Sequence, residues 1–139
     1  MEKIAKTTWK EGMAFDAEVN GHKITIDAAE KAGGKNRGPR PKPLLLVALA
    51  GCTSMDVVSM LKKMRVDYDS FDVEVFAEST DEHPKHYKKI TLKYIFKGKH
   101  LSESKIHKAV NLSQERYCGV SHMLNKAAEL THEIVIDEG

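Results

Sequence analysis

The chain has 139 residues, 41% of them hydrophobic and 30% charged, a composition typical of one globular domain that buries its own core. Lysine and arginine number 22 against 20 aspartates and glutamates, so no overall charge favours nucleic acid or a membrane surface. We therefore expect a single domain over residues 1–139, with neither a nucleic-acid partner nor a membrane partner.

Residues 1–30 predict a three-stranded antiparallel meander. Apolar and polar residues alternate over residues 3–10, 13–19 and 22–28, which is the pattern of half-buried strands. Asn20 and Gly21 separate the second strand from the third, and both tolerate the positive φ angles of a type I′ turn. The first thirteen residues carry charges throughout, so we expect no secretory signal.

Residues 30–43 form a loop that is rich in glycine and proline and is the most basic part of the chain. Its cations are Lys31, Lys35, Arg37, Arg40 and Lys42. One interpretation is a solvated, mobile loop. The other is an anion-attracting rim beside the helix that follows, although no aromatic residues are interleaved as in a single-strand nucleic-acid groove.

Residues 43–65 predict a long central helix that is apolar on most of its circumference. Pro43 suits the first turn, where its missing N–H costs nothing, and Lys62, Lys63 and Arg65 offset the dipole at the other end. Such a helix needs cover on most sides, so either two sheets clamp it or a second copy of the chain helps to bury it. The uncharged stretch 43–55 is shorter than the ~20 residues of a membrane span, so we expect a soluble, cytoplasmic protein.

Residues 66–139 predict a ββααβ arrangement. Alternation over 70–79 and over 88–97 predicts two long antiparallel strands. Their expected inward residues are Phe71, Val73, Val75 and Ala77 on the first strand and Ile90, Leu92, Tyr94 and Phe96 on the second. The complete βββαββααβ order predicts an α+β fold and argues against a doubly wound nucleotide-binding sheet.

Two helices and a closing strand are expected after residue 98. Ser102 suits the N-cap of the first helix. The second helix is expected to run from Cys118 or Gly119 to Leu130, and a strand should cover residues 131–136. The expected inward residues of the second helix are Val120, Met123, Leu124 and Ala127.

The chain has two cysteines, Cys52 and Cys118, whose spacing matches no metal-binding or haem motif. A purely structural disulfide is disfavoured in a reducing cytosol. Three interpretations remain open: buried inert thiols, a catalytic pair, or part of a metal site.

The neighbours of the two cysteines differ. Asp56 lies one turn after Cys52 and would raise the pKa of that thiol, and Cys52 is too far inside its helix to gain from the helix N-terminus. Cys118 stands at a predicted helix start and follows Arg116, and both features would favour its thiolate. His122 lies on the same helix face as Cys118, where it could accept a proton, ligate a metal or simply be a surface histidine.

Two segments carry a resemblance to a known family. RGPRPKPLLLVALAGCTSMDVVSMLKKMR and ERYCGVSHMLNKAAELTHEIVI resemble the two cysteine motifs of the OsmC/Ohr family, the osmotically inducible and organic hydroperoxide resistance proteins. The similarity is greatest to its OsmC-like branch, and the element order agrees over nearly the whole chain. The resemblance implies an OsmC-like α+β fold in which antiparallel sheets wrap around the long central helices of an intertwined homodimer.

The resemblance also implies a chemistry. In catalytic members the cysteine that matches Cys52 attacks the peroxide O–O bond and becomes a sulfenic acid, and the one that matches Cys118 condenses with it to a disulfide. An external dithiol, in several members a lipoylated protein, then restores the pair, so no bound cofactor and no metal are expected. Peroxidase members carry a glutamate ten residues before the first cysteine, paired with an arginine from the N-terminal strands. Lys42 occupies that glutamate position here and no arginine precedes Arg37, so Arg37, Arg40 and Lys42 are the candidate substitutes.

Whether the chain is an enzyme is left open by this pattern. The first hypothesis is a thiol-dependent reductase of organic hydroperoxides, supported by Asp56, Arg116 or His122. The second is a non-catalytic scaffold that binds a small hydrophobic or anionic ligand at the dimer interface, and a third is metal binding through Cys118 and His122. The separation of the two sulfur atoms discriminates between the first two, because remote sulfurs favour the scaffold.

Overall fold

The computed structural model describes all 139 residues, in the predicted βββαββααβ order. The strands are β1 (Ala5–Glu11), β2 (Ala14–Val19), β3 (His22–Ile26), β4 (Ser70–Ser79), β5 (Tyr87–Lys97) and β6 (Glu129–Asp137). The helices are α1 (Leu44–Lys63), α2 (Glu103–Leu112) and α3 (Gly119–Leu124), with a 3₁₀ turn at Glu30–Ala32 and a π-helical turn at Ser113–Tyr117. The chain forms two compact units, residues 1–47 and 48–139, and the expectation of a single domain stays a prediction.

The first unit contains the expected meander. Its strands pair in the order β1-β2-β3, antiparallel throughout. Val19 lies opposite His22, which leaves Asn20 and Gly21 as a two-residue turn with φ angles of 52° and 77°. Both angles lie in the left-handed region that a type I′ turn requires, so the predicted hairpin is confirmed.

Asp27 organises the basic loop, and the sequence pattern did not single it out. Its side chain is only 4% exposed. Burial opposes its ionisation, but hydrogen bonds from three backbone N–H groups outweigh burial and lower the pKa of Asp27 below its ordinary value. These donors are Ala28 at 2.7 Å, Lys35 at 3.1 Å and Arg37 at 3.2 Å. A Cβ atom at Gly38 would collide with the Thr25 carbonyl oxygen, so only glycine allows the loop to approach β3 this closely.

The second unit is built on the sheet β4-β5-β6. β4 and β5 are antiparallel, and Phe71 pairs with Phe96 so that the two rings stack at 4.3 Å between centroids. The four expected inward residues of β5 are fully buried, which confirms that prediction, whereas Ala77 on β4 is exposed. β6 pairs with β5 in parallel, so the sheet is mixed, and the crossover that a parallel pair needs contains α2, the π-helical turn and α3.

Helix α1 follows its prediction within two residues at each end. Its buried residues recur every fourth position, at Leu49, Thr53, Val57 and Leu61. Its other faces leave Leu45, Val47, Met55 and Val58 exposed. By length and composition α1 could also cross a membrane, with a mean hydropathy of 2.0, and 22% of that apolar window is buried within the chain. The regular buried row is that of a helix packed in a globular core.

The helical part of the crossover confirms one expectation and corrects two. Ser102 occupies the N-cap of α2 as predicted, although its side chain makes no capping hydrogen bond. α3 ends at Leu124 rather than Leu130, because β6 already begins at Glu129 and pairs with β5 along its whole length. Those ladder hydrogen bonds override the helical propensity of the preceding alanines. Met123 is 63% exposed and Ala127 is also exposed, so neither faces inward as expected.

Candidate functional site

The fold brings together the two cysteines that lie far apart in sequence. Both are free thiols, and the Sγ atoms of Cys52 and Cys118 and a carboxylate oxygen of Asp56 all lie within 4.8 Å of one another. We call these three residues the thiol cluster. Helix α1 supplies Cys52 and Asp56 from adjacent turns of one face, and Cys118 caps the N-terminus of α3. Cys52 is half-buried, whereas Cys118 is only 2% exposed.

The surroundings of Cys118 disfavour its thiolate. Burial is the largest cause that raises the pKa of Cys118, and the neighbouring Cys52 raises it further. The hydroxyl and the backbone N–H of Ser121 partly oppose this rise, the N–H donating to Sγ at 3.4 Å. The guanidinium carbon of Arg116 lies 5.8 Å from the ring centroid of Tyr117. The start of α3 does favour a Cys118 thiolate, as predicted, through the N–H of Ser121, but burial outweighs it and the net pKa of Cys118 is raised. That Arg116 adds to the effect stays a prediction.

His122 lies outside the thiol cluster. Its side chain is exposed, and its backbone N–H donates to the Cys118 carbonyl oxygen at 3.1 Å. The group of candidate metal ligands around Cys118 consists of Cys52 and Asp56 instead. The structure thus offers a donor set that sequence spacing did not indicate.

The three basic-loop candidates lie in the first unit, where their own contacts can be described. Arg37 forms an ion pair with Glu11 at 2.8 Å, and Arg40 donates to the Gly38 carbonyl oxygen at 2.8 Å. The Lys42 carbonyl oxygen accepts from the N–H of Leu45 at 3.1 Å, just before the first turn of α1. That any of these cations supports Cys52 stays a prediction.

A buried hydroxyl network adjoins the thiol cluster, and sequence reasoning missed it. The Thr53 Oγ1 atom lies 2.6 Å from Tyr94 Oη and 2.7 Å from Ser113 Oγ. Ser113 Oγ donates to Asp56 Oδ2 at 3.0 Å. Gln114 Nε2 donates to Tyr94 Oη at 2.8 Å and to Thr53 Oγ1 at 3.1 Å. Thr53, Tyr94 and Ser113 are all fully buried, so their hydroxyl groups depend on one another for hydrogen bonds.

Donor counting gives the hydroxyl network one direction. Each hydroxyl carries a single proton, and a carboxylate can only accept. Because Ser113 donates to Asp56, Ser113 must accept from Thr53, and Thr53 must in turn accept from Tyr94. Tyr94 then accepts from the amide of Gln114. The chain of hydrogen bonds therefore runs from β5 to α1 and ends on the carboxylate of the thiol cluster.

Tyr94 and His132 border this network on the sheet. Burial raises the pKa of Tyr94 to about 12, despite its hydrogen bonds with Thr53 and Gln114, so its hydroxyl remains a donor. The His132 ring lies edge-on to Tyr94 at 6.0 Å between centroids. Burial lowers the pKa of His132 below its ordinary value, more than the nearby Glu115 raises it. A neutral imidazole is therefore favoured beside the network.

The π-helical turn places the residues of the second motif. The Cys118 N–H donates to the Ser113 carbonyl oxygen at 2.8 Å, the five-residue hydrogen bond that defines this turn. It brings Ser113 and Gln114 into the hydroxyl network and Cys118 into the thiol cluster. Such turns occur frequently at functional sites. The sequence showed only an interruption of the apolar pattern near residues 112–117.

One signal in the sequence could have revealed the network. Thr53 stands in the row of α1 residues otherwise filled by Leu49, Val57 and Leu61, and Tyr94 brings a hydroxyl into a buried row of β5 that is otherwise apolar. A polar residue in a buried row needs a partner. The identity of that partner depends on how the second unit folds, which spacing does not reveal.

A cleft opens beside Asp56 on the surface of the second unit. It has a volume of about 510 Å³. Its lining residues are Met55, Asp56, Ser59, Met60, Lys63, Leu112 and Tyr117. Two methionines, a leucine and an aromatic ring make it suitable for an apolar group, since methionine adapts to irregular shapes.

Comparisons with known proteins agree with this thiol-bearing α+β fold. The family model of OsmC-like proteins matches residues 33–133, and the chain belongs to the OsmC-like family. Protein YhfA of Escherichia coli K12 is 36% identical over 129 residues, covering 92% of this chain and 93% of YhfA. The crystal structure of an OsmC-like protein from Mycoplasma pneumoniae superposes with a TM-score of 0.82 at 15% identity, covering 99% of each chain.

A second structural relative is the organic hydroperoxide resistance protein OhrB of Bacillus subtilis. Its TM-score is 0.65 at 21% identity, covering 95% of this chain and 98% of OhrB. The predicted resemblance and the predicted OsmC-like α+β fold are thus confirmed, and the intertwined homodimer stays a prediction.

Proposed function

We propose that this protein is a thiol-dependent reductase of organic hydroperoxides, with Cys52 as the peroxidatic residue and Cys118 as the resolving residue. The observation that carries the proposal is the thiol cluster, because two sulfur atoms within 4.8 Å need only a small movement to form a disulfide. Membership of a family that includes hydroperoxide resistance proteins supports the same chemistry.

The difference in exposure assigns the two roles. Cys52 is half-buried and can meet a substrate, whereas Cys118 is almost completely enclosed and its raised pKa keeps it a thiol. The Cys52 thiolate attacks one oxygen of ROOH, the O–O bond breaks, and Cys52–SOH and an alkoxide form, which takes a proton to give ROH. The Cys118 sulfur then displaces the hydroxyl of the sulfenic acid, which leaves as water, and the S–S bond forms.

An external dithiol completes the cycle. It reduces the Cys52–Cys118 disulfide to two thiols and becomes a disulfide itself, so two electrons pass from the dithiol to the peroxide. A lipoyl group on a partner protein is the proposed source, and a cytoplasmic location fits a reducing compartment. The apolar cleft beside Asp56 is suited to the alkyl part of the hydroperoxide.

We also propose that the protein is a homodimer. Leu45, Val47, Met55 and Val58 remain exposed on α1, and a large exposed apolar surface on a helix is the usual mark of an interface. A second chain would cover these residues. The alternative function, a non-catalytic scaffold that binds a small hydrophobic or anionic ligand at this interface, is favoured by the same surface and the adjoining cleft.

The test is consumption of cumene hydroperoxide by purified protein with dihydrolipoate as reductant. Wild-type protein should turn over, Cys52→Ser should show only the background rate, and Cys118→Ser should stop after one oxidation with a sulfenic acid that dimedone traps on Cys52. Equal rates for wild type and Cys52→Ser would reject the enzyme. Copurification of a small ligand with thiols that do not react would instead support the scaffold.

A further inference from the structure

The acidic groups of the thiol cluster favour a bound cation over a single reactive thiolate. Activation of a cysteine requires a nearby positive charge or dipole. Here the group that accompanies the two sulfur atoms is the Asp56 carboxylate, with an oxygen within 4.8 Å of both. Two thiolates and one carboxylate attract a divalent ion strongly, because the ion offsets two of their three negative charges.

The donor atoms and their spacing fit zinc. Zinc in proteins is tetrahedral and takes thiolate sulfur at about 2.3 Å and carboxylate oxygen at about 2.0 Å. These bond lengths place two ligand sulfurs about 3.8 Å apart and a sulfur and an oxygen about 3.5 Å apart. The three atoms already lie within 4.8 Å of one another, so small side-chain rotations would complete the contacts. The two sulfurs select a thiophilic ion over magnesium or calcium.

The residues around the cluster supply the outer hydrogen bonds of a metal site. Ser113 donates to Asp56 Oδ2 at 3.0 Å and so fixes the carboxylate, as partners of metal ligands commonly do. The Ser121 N–H donates to the Cys118 sulfur. The Ser121 hydroxyl is buried near that sulfur, but no donor or acceptor meets it at hydrogen-bonding geometry. A buried polar atom without a partner normally marks a place for a missing ligand or water.

We propose that the reduced protein binds one zinc ion through Cys52 Sγ, Cys118 Sγ and the Asp56 carboxylate, with the fourth position open to water near the Ser121 hydroxyl. Binding replaces the two thiol protons with the metal. Formation of the Cys52–Cys118 disulfide removes both sulfur ligands, so the oxidised protein cannot hold the ion. The proposal concerns metal binding alone and does not depend on hydroperoxide reduction.

The experiment uses untagged full-length protein reduced with a phosphine and freed of metal. Zinc is titrated in competition with a chromogenic chelator, and cobalt serves as the spectroscopic probe because bound thiolates give a charge-transfer absorption. Wild-type protein should bind one zinc per chain and show that absorption. Asp56→Asn should weaken zinc binding at least about tenfold. Cys52→Ser should abolish tight binding, and the matched control His122→Ala should bind as wild type does.

A measurement without any substitution guards against misfolded variants. Diamide takes two electrons and two protons from the thiol pair, and the oxidised wild type should bind no zinc and show no cobalt–thiolate absorption. The proposal is overturned if reduced wild type binds no zinc, if the oxidised protein binds it equally well, or if His122→Ala loses binding that Asp56→Asn retains. Loss of metal binding with intact hydroperoxide turnover would reject this site and leave the proposed function standing.

Discussion

Thr53 is the residue through which the hydroxyl network can be tested most sharply. Thr53→Val keeps the shape of the side chain and removes only the hydroxyl. Thr53→Ser keeps the hydroxyl and removes only a buried methyl group. Because Thr53 is fully buried and bonds to Tyr94, Ser113 and Gln114, the two variants separate the hydrogen bonds from the packing.

The expected losses of unfolding free energy in the two variants differ enough to be measured. A typical internal hydrogen bond contributes about 1 kcal/mol net, so loss of three such bonds predicts that Thr53→Val lowers the free energy of unfolding by about 3 kcal/mol. In that variant the Tyr94 hydroxyl also loses its only acceptor, because its proton points to Thr53. Removal of one buried methyl group costs about 1 kcal/mol, which is the expected effect of Thr53→Ser.

Urea denaturation of the reduced proteins followed by far-ultraviolet circular dichroism measures both values. Trp9 is 62% exposed, so its fluorescence is a poor probe of folding in this chain. All proteins are compared at one concentration, since association of chains would add to the apparent stability. A Thr53→Val effect smaller than that of Thr53→Ser would refute the network as a source of stability, because packing would then dominate.

Two further predictions concern the first unit and the surface of α1. The Asp27 carboxylate has a pKa below its ordinary 3.8, so it stabilises the fold above that value and this contribution is lost as the pH falls through the native pKa. Asp27→Asn should therefore be less stable than wild type near neutral pH and should lose less stability in acid, as denaturant titrations at both pH values would reveal. Val47→Lys places a charge on the exposed apolar surface of α1, so light scattering should detect monomers where wild type is dimeric. Glu74→Lys, on the exposed polar face of β4, is the control, and an undiminished dimer in Val47→Lys would contradict the proposed interface.

The fold could be predicted largely because its periodic signals are strong. The alternation in β4 and β5 set the inward rows, and the observed register places Phe71 opposite Phe96 and Val73 opposite Tyr94. Asn20 and Gly21 specified their turn through local backbone preference alone. The end of α3 was predicted wrongly because residues 125–130 favour a helix locally, and pairing of β6 with β5 is a long-range event.

The cysteine pair of the candidate site could be predicted, but the hydroxyl network could not, because it depends on contacts between residues far apart in sequence. Cys52 and Cys118 could be identified as a pair through the family resemblance, and the separation of their sulfur atoms agrees with that reading. The resemblance says nothing of the bonds among Thr53, Tyr94 and Ser113, which come from α1, β5 and the π-helical turn. Each of these residues is unremarkable in its own segment, so the network exists only in three dimensions.

The hydroxyl network and the thiol cluster together determine which polar and charged groups surround Cys52 and Cys118. Every hydrogen bond in the network points its proton toward Asp56, so that carboxylate is the final acceptor of the network. Lys42 stands at the position ten residues before Cys52 where a glutamate is expected. The acidic group near the sulfur atoms is instead Asp56, with a carboxylate oxygen within 4.8 Å of both. An acidic side chain thus accompanies the two thiols in the folded chain. Zinc binding and peroxide attack would be alternative uses of the same two sulfur atoms, because a thiolate that ligates zinc shares its lone pair with the metal, and a disulfide no longer carries the thiolate charge that either use requires.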